Sequence, residues 1–218
     1  MKGASVHERT PQLSLFQART LGGFNSFERV ELDEHSWVEH FPQWLDRPEH
    51  LFTALAEHAA WEQRSRWMYT GVVVEPRLTA EYASIGEVPI PELQKVTAEI
   101  SRHYGIVYDS LWLNWYRDHH DSTSWHADRP AHLLLSATVP VLSLGAPRRF
   151  LIRHREGGKS RTFNVESGDL VVMGGRSQRD WVHMVPKEAH PTGARISVNF
   201  GSSEQYGGPK AAASRPAK

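Results

Sequence analysis

Apolar residues recur at helical spacing in two stretches of the N-terminal half. From Pro48 to about Trp61, Leu51, Phe52, Leu55 and Ala59 share one stripe, and from Pro91 to Tyr104, Leu93, Val96, Ile100 and Tyr104 share another. A proline near each start and Gly105 after the second stretch are the expected boundary signals of two helices. Beyond Ile106 the pattern shortens. Runs of apolar residues bounded by turn formers predict strands over Asp109–Tyr116, Leu133–Leu144, Arg149–His154, Arg161–Val165, Asp169–Met173, Trp181–Val185 and Arg195–Phe200. Gly145-Ala146-Pro147 and Glu156-Gly157-Gly158-Lys159 read as turns between them. Helices followed by a series of strands indicate an α+β protein whose C-terminal half is a sandwich or jelly roll. An open-ended roll can aim side chains from several strands at one interior point.

Composition narrows the reading. The 218 residues, 39% of them hydrophobic, suffice for one well-buried domain and not for two large ones. Residues 1–20 are expected to be a flexible N-terminal segment, 21–204 a single folded domain, and 205–218 a flexible basic tail. Cysteine is absent, which excludes disulfides and thiolate metal sites. Lys+Arg and Asp+Glu balance at 25 each, so a nucleic-acid partner would need a local basic patch. No apolar run approaches the roughly 20 residues of a membrane span, and no signal-like pattern opens the chain. A cytoplasmic monomer without a membrane partner is the expectation.

The chemistry concentrates around Trp125-His126-Ala127-Asp128 and Trp181-Val182-His183, with Arg195 downstream. On a strand, His126 and Asp128 would project to one face. Two imidazoles and one carboxylate leave the remaining positions of a metal open. That is the donor set of a non-haem Fe(II) centre that must take a co-substrate and O₂ together. A downstream arginine can grip a dicarboxylate through paired charge-assisted contacts. Read singly, His183 fits equally well as a core histidine bonded to a backbone carbonyl.

In order and spacing, these motifs resemble the AlkB-like branch of the Fe(II)- and 2-oxoglutarate-dependent dioxygenases. The resemblance runs from roughly Trp61 to Phe200. Its pieces are Asn114-Trp115-Tyr116, Trp125 to Asp128, Gly168 to Met173, Trp181 to His183 with Pro186-Lys187, and Arg195 to Phe200. It implies a double-stranded β-helix (jelly roll) with supporting N-terminal helices, and Fe(II) held by His126, Asp128 and His183. It further implies 2-oxoglutarate held by Asn114, Tyr116 and Arg195, with Ser197 and Asn199 on the same strand as Arg195, and O₂ as oxidant. The implied reaction is oxidative demethylation of alkylated bases in DNA, a direct-reversal repair releasing formaldehyde, succinate and CO₂. The alternatives are the same chemistry on RNA or another substrate, or a non-catalytic jelly-roll binding module.

A base inside a duplex cannot reach such a centre, so the nucleotide would be flipped out and gripped. Trp67, Met68 and Tyr69 lie where the family keeps its nucleotide-recognition lid, with Tyr69 at the position of a stacking aromatic. Arg77, Trp125 and Trp181 complete the expected substrate contacts, and Arg64, Arg66 and Arg77 could meet phosphates. Trp67 and Tyr69 also fit as ordinary core aromatics. Two positions depart from the family. Gly201 stands where a second co-substrate arginine is usual, leaving Arg117, Arg148 or Arg149 as candidate substitutes. Pro130 stands where some members carry an acidic residue that accepts from a base amino group.

Gln12-Leu13-Ser14-Leu15-Phe16 resembles the pentapeptide by which bacterial replication and repair proteins dock on the sliding clamp. Leu15 and Phe16 would fill an apolar pocket while Gln12 supplies polar capture. A clamp partner and a bacterial source are the expectation; an edge strand built from Leu13, Leu15 and Phe16 is the alternative.

Overall fold

The computed structural model describes residues 23–68 and 71–206. In chain order the elements are β1 (Glu28–Glu31), β2 (Ser36–Phe41), α1 (Pro48–His58), β3 (Glu62–Met68), β4 (Gly71–Tyr82), α2 (Pro91–Tyr104), β5 (Ser110–Tyr116), β6 (Val139–Gly145), β7 (Arg148–His154), β8 (Arg161–Val165), β9 (Leu170–Gly175), α3 (Ser177–Asp180), β10 (Trp181–Met184) and β11 (Arg195–Gly201). An eight-stranded sheet runs β1-β2-β9-β6-β11-β5-β4-β3, and a three-stranded sheet runs β10-β7-β8. All pairings between named strands are antiparallel.

Strand alternation builds two cores on the two faces of the large sheet. Leu142, Leu144, Leu170, Val172, Ile196 and Val198 form one cluster with Leu51 and Leu55 of α1 and Leu93, Val96 and Ile100 of α2. The alternate positions of the same strands, Val139, Val141, Val171 and Met173, face the small sheet and meet Phe150, Ile152, Phe163 and Val165. The period of two therefore assigns every second residue to the interior of the roll. On β5 and β11 those interior positions are not apolar. They read Ser110, Trp112, Asn114, Tyr116 and Arg195, Ser197, Asn199, Gly201, paired Tyr116↔Arg195, Asn114↔Ser197, Trp112↔Asn199 and Ser110↔Gly201. A polar row inside a roll whose other strands are apolar marks the functional interior.

The helices fall where the apolar stripes place them, but α1 stops at His58, short of Trp61. Ala59 is already extended, and the Trp61 indole Nε1 donates to the Leu55 carbonyl at 3.0 Å, closing the helix end. α2 spans Pro91–Tyr104 and is capped by Gly105 at φ 64°, a left-handed conformation that glycine adopts without a Cβ penalty. Four strands precede β5 that the hydrophobic pattern does not announce. β1 and β3 are edge strands of largely charged and polar residues, and β4 contains Pro76, so alternation is weak in all three. The expected strand Leu133–Leu144 begins only at Val139, because residues Ala131–Leu133 form a single 3₁₀ turn.

Candidate metal and co-substrate site

His183 sits on β10, and His126 lies opposite it in a loop joined to that strand by one isolated bridge. The His126 N–H donates to the His183 carbonyl at 3.0 Å and the His183 N–H to the His126 carbonyl at 2.8 Å. Nearby, Thr123 N–H donates to the Val185 carbonyl at 2.9 Å, and Val185 N–H to the Thr123 hydroxyl at 2.8 Å. The expectation that His126 and Asp128 share a strand face is thus corrected: Asp128 lies past the bridge, outside any strand. Its position is set instead by Gln178 of α3, whose Oε1 accepts from the Asp128 backbone N–H at 2.8 Å. Gln178 is fully enclosed, and sequence periodicity gave no sign of it in so short a helix.

His126, Asp128 and His183 converge, with ligand-capable atoms all within 4.8 Å of one another. His183 Nε2 lies 3.6 Å and His126 Nε2 3.9 Å from Asp128 Oδ1. Both separations are too long for hydrogen bonds, yet one ion can bridge about 4.2 Å with bonds of about 2.1 Å. The His126 Nδ1 faces the Ser124 carbonyl at 2.8 Å, which suits the tautomer with Nδ1–H donating and leaves Nε2 as a lone pair. Asp128 Oδ2 and His183 Nδ1 are buried without a partner. The donor set and the unsatisfied Asp128 Oδ2 fit a bound divalent metal.

Electrostatics agree. The His126 side chain keeps 39% exposure through the cavity mouth, but enclosure by the surrounding protein and the adjacent His183 push its pKa down to about 4. The ring is therefore neutral and ready to ligate at physiological pH. Burial alone would raise the Asp128 carboxyl. Attraction to His183 and His126 overrides it and holds the group below the ordinary carboxylate range.

The triad opens into a cavity of about 1020 Å³ that includes the whole polar row of β5 and β11. At one end Arg195 is 2% exposed, and its Nη2 donates to the Ser143 hydroxyl at 2.7 Å. The guanidinium lies 5.3 Å over the Tyr116 ring, while its Nε and Nη1 have no partner. Burial lowers its pKa. A buried guanidinium with unused donors needs an anion, which a carboxylate of a dicarboxylic acid would supply. Asn114 Oδ1 accepts from Arg77 Nε at 2.8 Å and Trp112 Nε1 at 3.1 Å, and Asn114 Nδ2 donates to the Ser197 hydroxyl at 3.2 Å. Asn199 Nδ2 donates to the Trp112 carbonyl at 2.7 Å. All five expected co-substrate residues are thus brought together in one wall.

The substrate residues divide. Trp125 lines the cavity with the Arg153 guanidinium 4.3 Å over its ring, and Arg77 lines it while paired to Glu75 at 3.0 Å. Trp67 is 71% exposed on the edge strand β3. Tyr69, the Met68 side chain, the Gln12–Phe16 motif and residues 207–218 of the expected basic tail lie outside the described residues, whereas Gln205 is tied to Thr138 at 2.8 and 3.1 Å and belongs to the folded domain. Trp181 does not belong to the set: it is buried in the inner core, its Nε1 donates to Asp33 Oδ2 at 2.6 Å, and it does not line the cavity.

None of the three candidate replacements for the second arginine reaches the cavity. Arg117 pairs with Asp121 at 2.7 Å and Arg149 with Glu188 at 2.9 Å. Arg148 donates to the carbonyls of Asp118, Asp121 and Pro186 at 3.1, 2.7 and 2.6 Å, clamping loops together. Pro130 offers no side-chain acceptor, and its carbonyl is taken by the Leu133 N–H at 2.9 Å. The lining carboxylates besides Asp128 are Glu75 and Glu81, both on β4 and both paired to arginines, the latter with Arg64 at 3.3 Å.

The model of the 2OG-Fe(II) oxygenase superfamily matches residues 40–201. Alpha-ketoglutarate-dependent dioxygenase alkB homolog 3 of Rattus norvegicus is 30% identical over 194 residues, covering 78% of this chain and 60% of that protein. DNA oxidative demethylase ALKBH2 of Arabidopsis thaliana is 25% identical over 189 residues, covering 69% and 60%. The chain thus spans about three-fifths of the length of these relatives. Among solved structures, OsALKBH1 superposes with a TM-score of 0.57 at 15% identity, over 80% of this chain and 100% of the other. That likeness concerns the fold.

Proposed function

The chain belongs to the 2OG-Fe(II) oxygenase superfamily, and from that premise we propose that it oxidatively demethylates alkylated bases in DNA. The observation that carries the reading is the pairing of two features in one cavity: the His126–Asp128–His183 triad and the buried, anion-seeking Arg195. The names of the ALKBH2 relatives, DNA oxidative demethylases, support the substrate class.

His126 Nε2, Asp128 and His183 would hold the iron, and Arg195 with Tyr116 and Asn114 would hold 2-oxoglutarate. When bound, iron with 2-oxoglutarate and O₂ supplies the oxidation of an N-methyl group, which leaves as formaldehyde while the co-substrate becomes succinate and CO₂. The chain's own work is positioning. Arg195 orients the co-substrate by fixing one end of it. Gln178 fixes the Asp128 backbone, and the Ser124 carbonyl fixes the His126 tautomer. At the cavity wall Trp125, stiffened by Arg153, offers a flat face to a flipped base, a contact worth about 1–3 kcal/mol. Arg77 places a cation beside it for a phosphate or base edge.

The test is a panel of N-methylated oligonucleotides, single- and double-stranded DNA and matching RNA, incubated with Fe(II), 2-oxoglutarate and the full chain. Mass spectrometry should show methyl loss, fastest on DNA. Faster loss on RNA would move the substrate assignment. Absence of methyl loss on every oligonucleotide would remove the nucleic-acid reading.

A further inference from the structure

Leu133 and Leu135 are 71% and 75% exposed, on a loop that starts from the carboxylate residue of the triad. We propose that they form a wedge that enters a DNA duplex at the step left open when the methylated nucleotide is extruded, and so set how well the chain acts on paired DNA. The inference rests on the reading that the substrate is a methylated base in DNA.

The loop is tied at both ends. His132 N–H donates to the Asp128 carbonyl at 3.0 Å, Leu133 N–H to the Pro130 carbonyl at 2.9 Å, and Leu134 N–H to the Ala131 carbonyl at 3.0 Å. At the far end Ala137 N–H donates to the Gly175 carbonyl at 2.9 Å, and Thr138 N–H to Gln205 Oε1 at 2.8 Å. Between these ties Ala131 is buried and Leu134 packs on the inner core. Leu134 faces inward, while the leucines on either side of it face water. A loop pinned this way has no slack to withdraw them, so their exposure is a fixed feature of the surface.

The surroundings say what covers them. Arg129 and His132 of the same loop line the cavity, so the leucines stand beside its mouth. That mouth is cationic. Arg129 is exposed and forms no ion pair among the described residues. Arg155, also in the lining, donates to the Arg179 and Gln178 carbonyls at 3.0 and 3.4 Å. Outside the triad the lining carboxylates are Glu75 and Glu81, and each already faces an arginine of its own. Cations without a counter-charge next to fixed apolar side chains match a strand that offers phosphates and base faces together. Extruding one nucleotide from a duplex leaves two base faces without a stacking partner. Apolar side chains that fill the gap offset part of the cost of unstacking. A single strand has no gap to hold open, so the leucines act on paired DNA alone.

The experiment compares demethylation of one methylated sequence, single-stranded and paired, by the Fe(II)-loaded full chain and its Leu133→Ser/Leu135→Ser variant. The variant should lose about ten-fold or more in kcat/KM on the duplex, stay within about two-fold of wild type on the single strand, and melt at the same temperature. Leu133→Met/Leu135→Met, which keeps the apolar surface, should retain most of the duplex rate. Arg129→Ala should instead weaken binding of both forms alike and lower the slope of log affinity against log salt by about one. Equal losses on the two substrates, or an unchanged duplex rate, overturn the proposal; the second result would leave the leucines to a protein partner. A fall of several degrees in melting temperature also overturns it, by making them residues of folding, as does a wild-type chain active on the single strand alone. A wild-type chain that demethylates neither form would instead remove the DNA reading itself.

Discussion

Arg195→Met offers the sharpest separation between a functional cation and a structural one. The substitution keeps a long unbranched side chain and removes a charge that is 2% exposed. Within the protein that charge has one neutral hydrogen bond, to the Ser143 hydroxyl at 2.7 Å, and the Tyr116 ring 5.3 Å away, with Nε and Nη1 unpartnered. Losing the Ser143 contact costs about 1.5–3 kcal/mol, while removing an unpaired buried charge returns an amount of similar order. The unliganded variant should therefore melt within a few degrees of wild type. Binding is different. Removing one member of a buried ion pair costs about 3–5 kcal/mol, which is a loss of about two to three and a half orders of magnitude in affinity for 2-oxoglutarate. Thermal shift and calorimetry on the Mn(II)-loaded protein read both quantities. At 100 times its Kd, 2-oxoglutarate should add about 2.7 kcal/mol of stability to wild type and almost none to the variant. An affinity within ten-fold of wild type, combined with a drop of many degrees in the unliganded protein, would show that Arg195 is a core residue and refute the reasoning.

Gln178→Leu removes the acceptor of the Asp128 N–H and should weaken Co(II) binding about 10- to 100-fold, read by absorbance titration, with Gln178→Glu recovering part of it; unchanged Co(II) affinity would deny Gln178 this role. In the metal-free protein, His126 has a pKa near 4 against an ordinary 6.5, so between those values the unfolded chain holds a proton that the folded chain does not. Stability should fall as pH drops through that window, and Asp128, held below its ordinary value, adds a further loss toward lower pH. Thermal melts from pH 7 to pH 4 should be steeper for wild type than for His126→Gln, and equal slopes would contradict the assignment. Changing both Leu15 and Phe16 to Ala should abolish binding to a bacterial sliding clamp while oligonucleotide demethylation persists; full clamp binding by that variant would dismiss the docking motif.

Much of the site was legible because strand alternation is a strong signal. Arg195, Ser197 and Asn199 alternate with Ile196, Val198 and Phe200, and the fold converts that spacing directly into an interior polar wall facing away from the helices. The His126–Asp128–His183 cluster is held by contacts that strand spacing does not encode. His126 and Asp128 do not share a strand; a reciprocal bridge to His183 and the amide of Gln178 hold them, and neither contact leaves a periodic trace. Trp181 illustrates the opposite error. It lies two residues from His183 on the same strand face, yet its indole is bonded to Asp33 and packed in the inner core. The edge strands β1 and β3 escaped because polar residues on both faces carry no alternation.

If the triad holds iron as proposed, co-substrate breakdown is coupled to removal of an N-methyl group. The most direct test of this coupling is the ratio of formaldehyde to succinate formed by the full chain on a single-stranded DNA oligonucleotide carrying one methylated base. The account predicts a ratio close to one for wild type and neither product above background for His126→Ala. Succinate without formaldehyde, or equal formaldehyde release by His126→Ala, would contradict it.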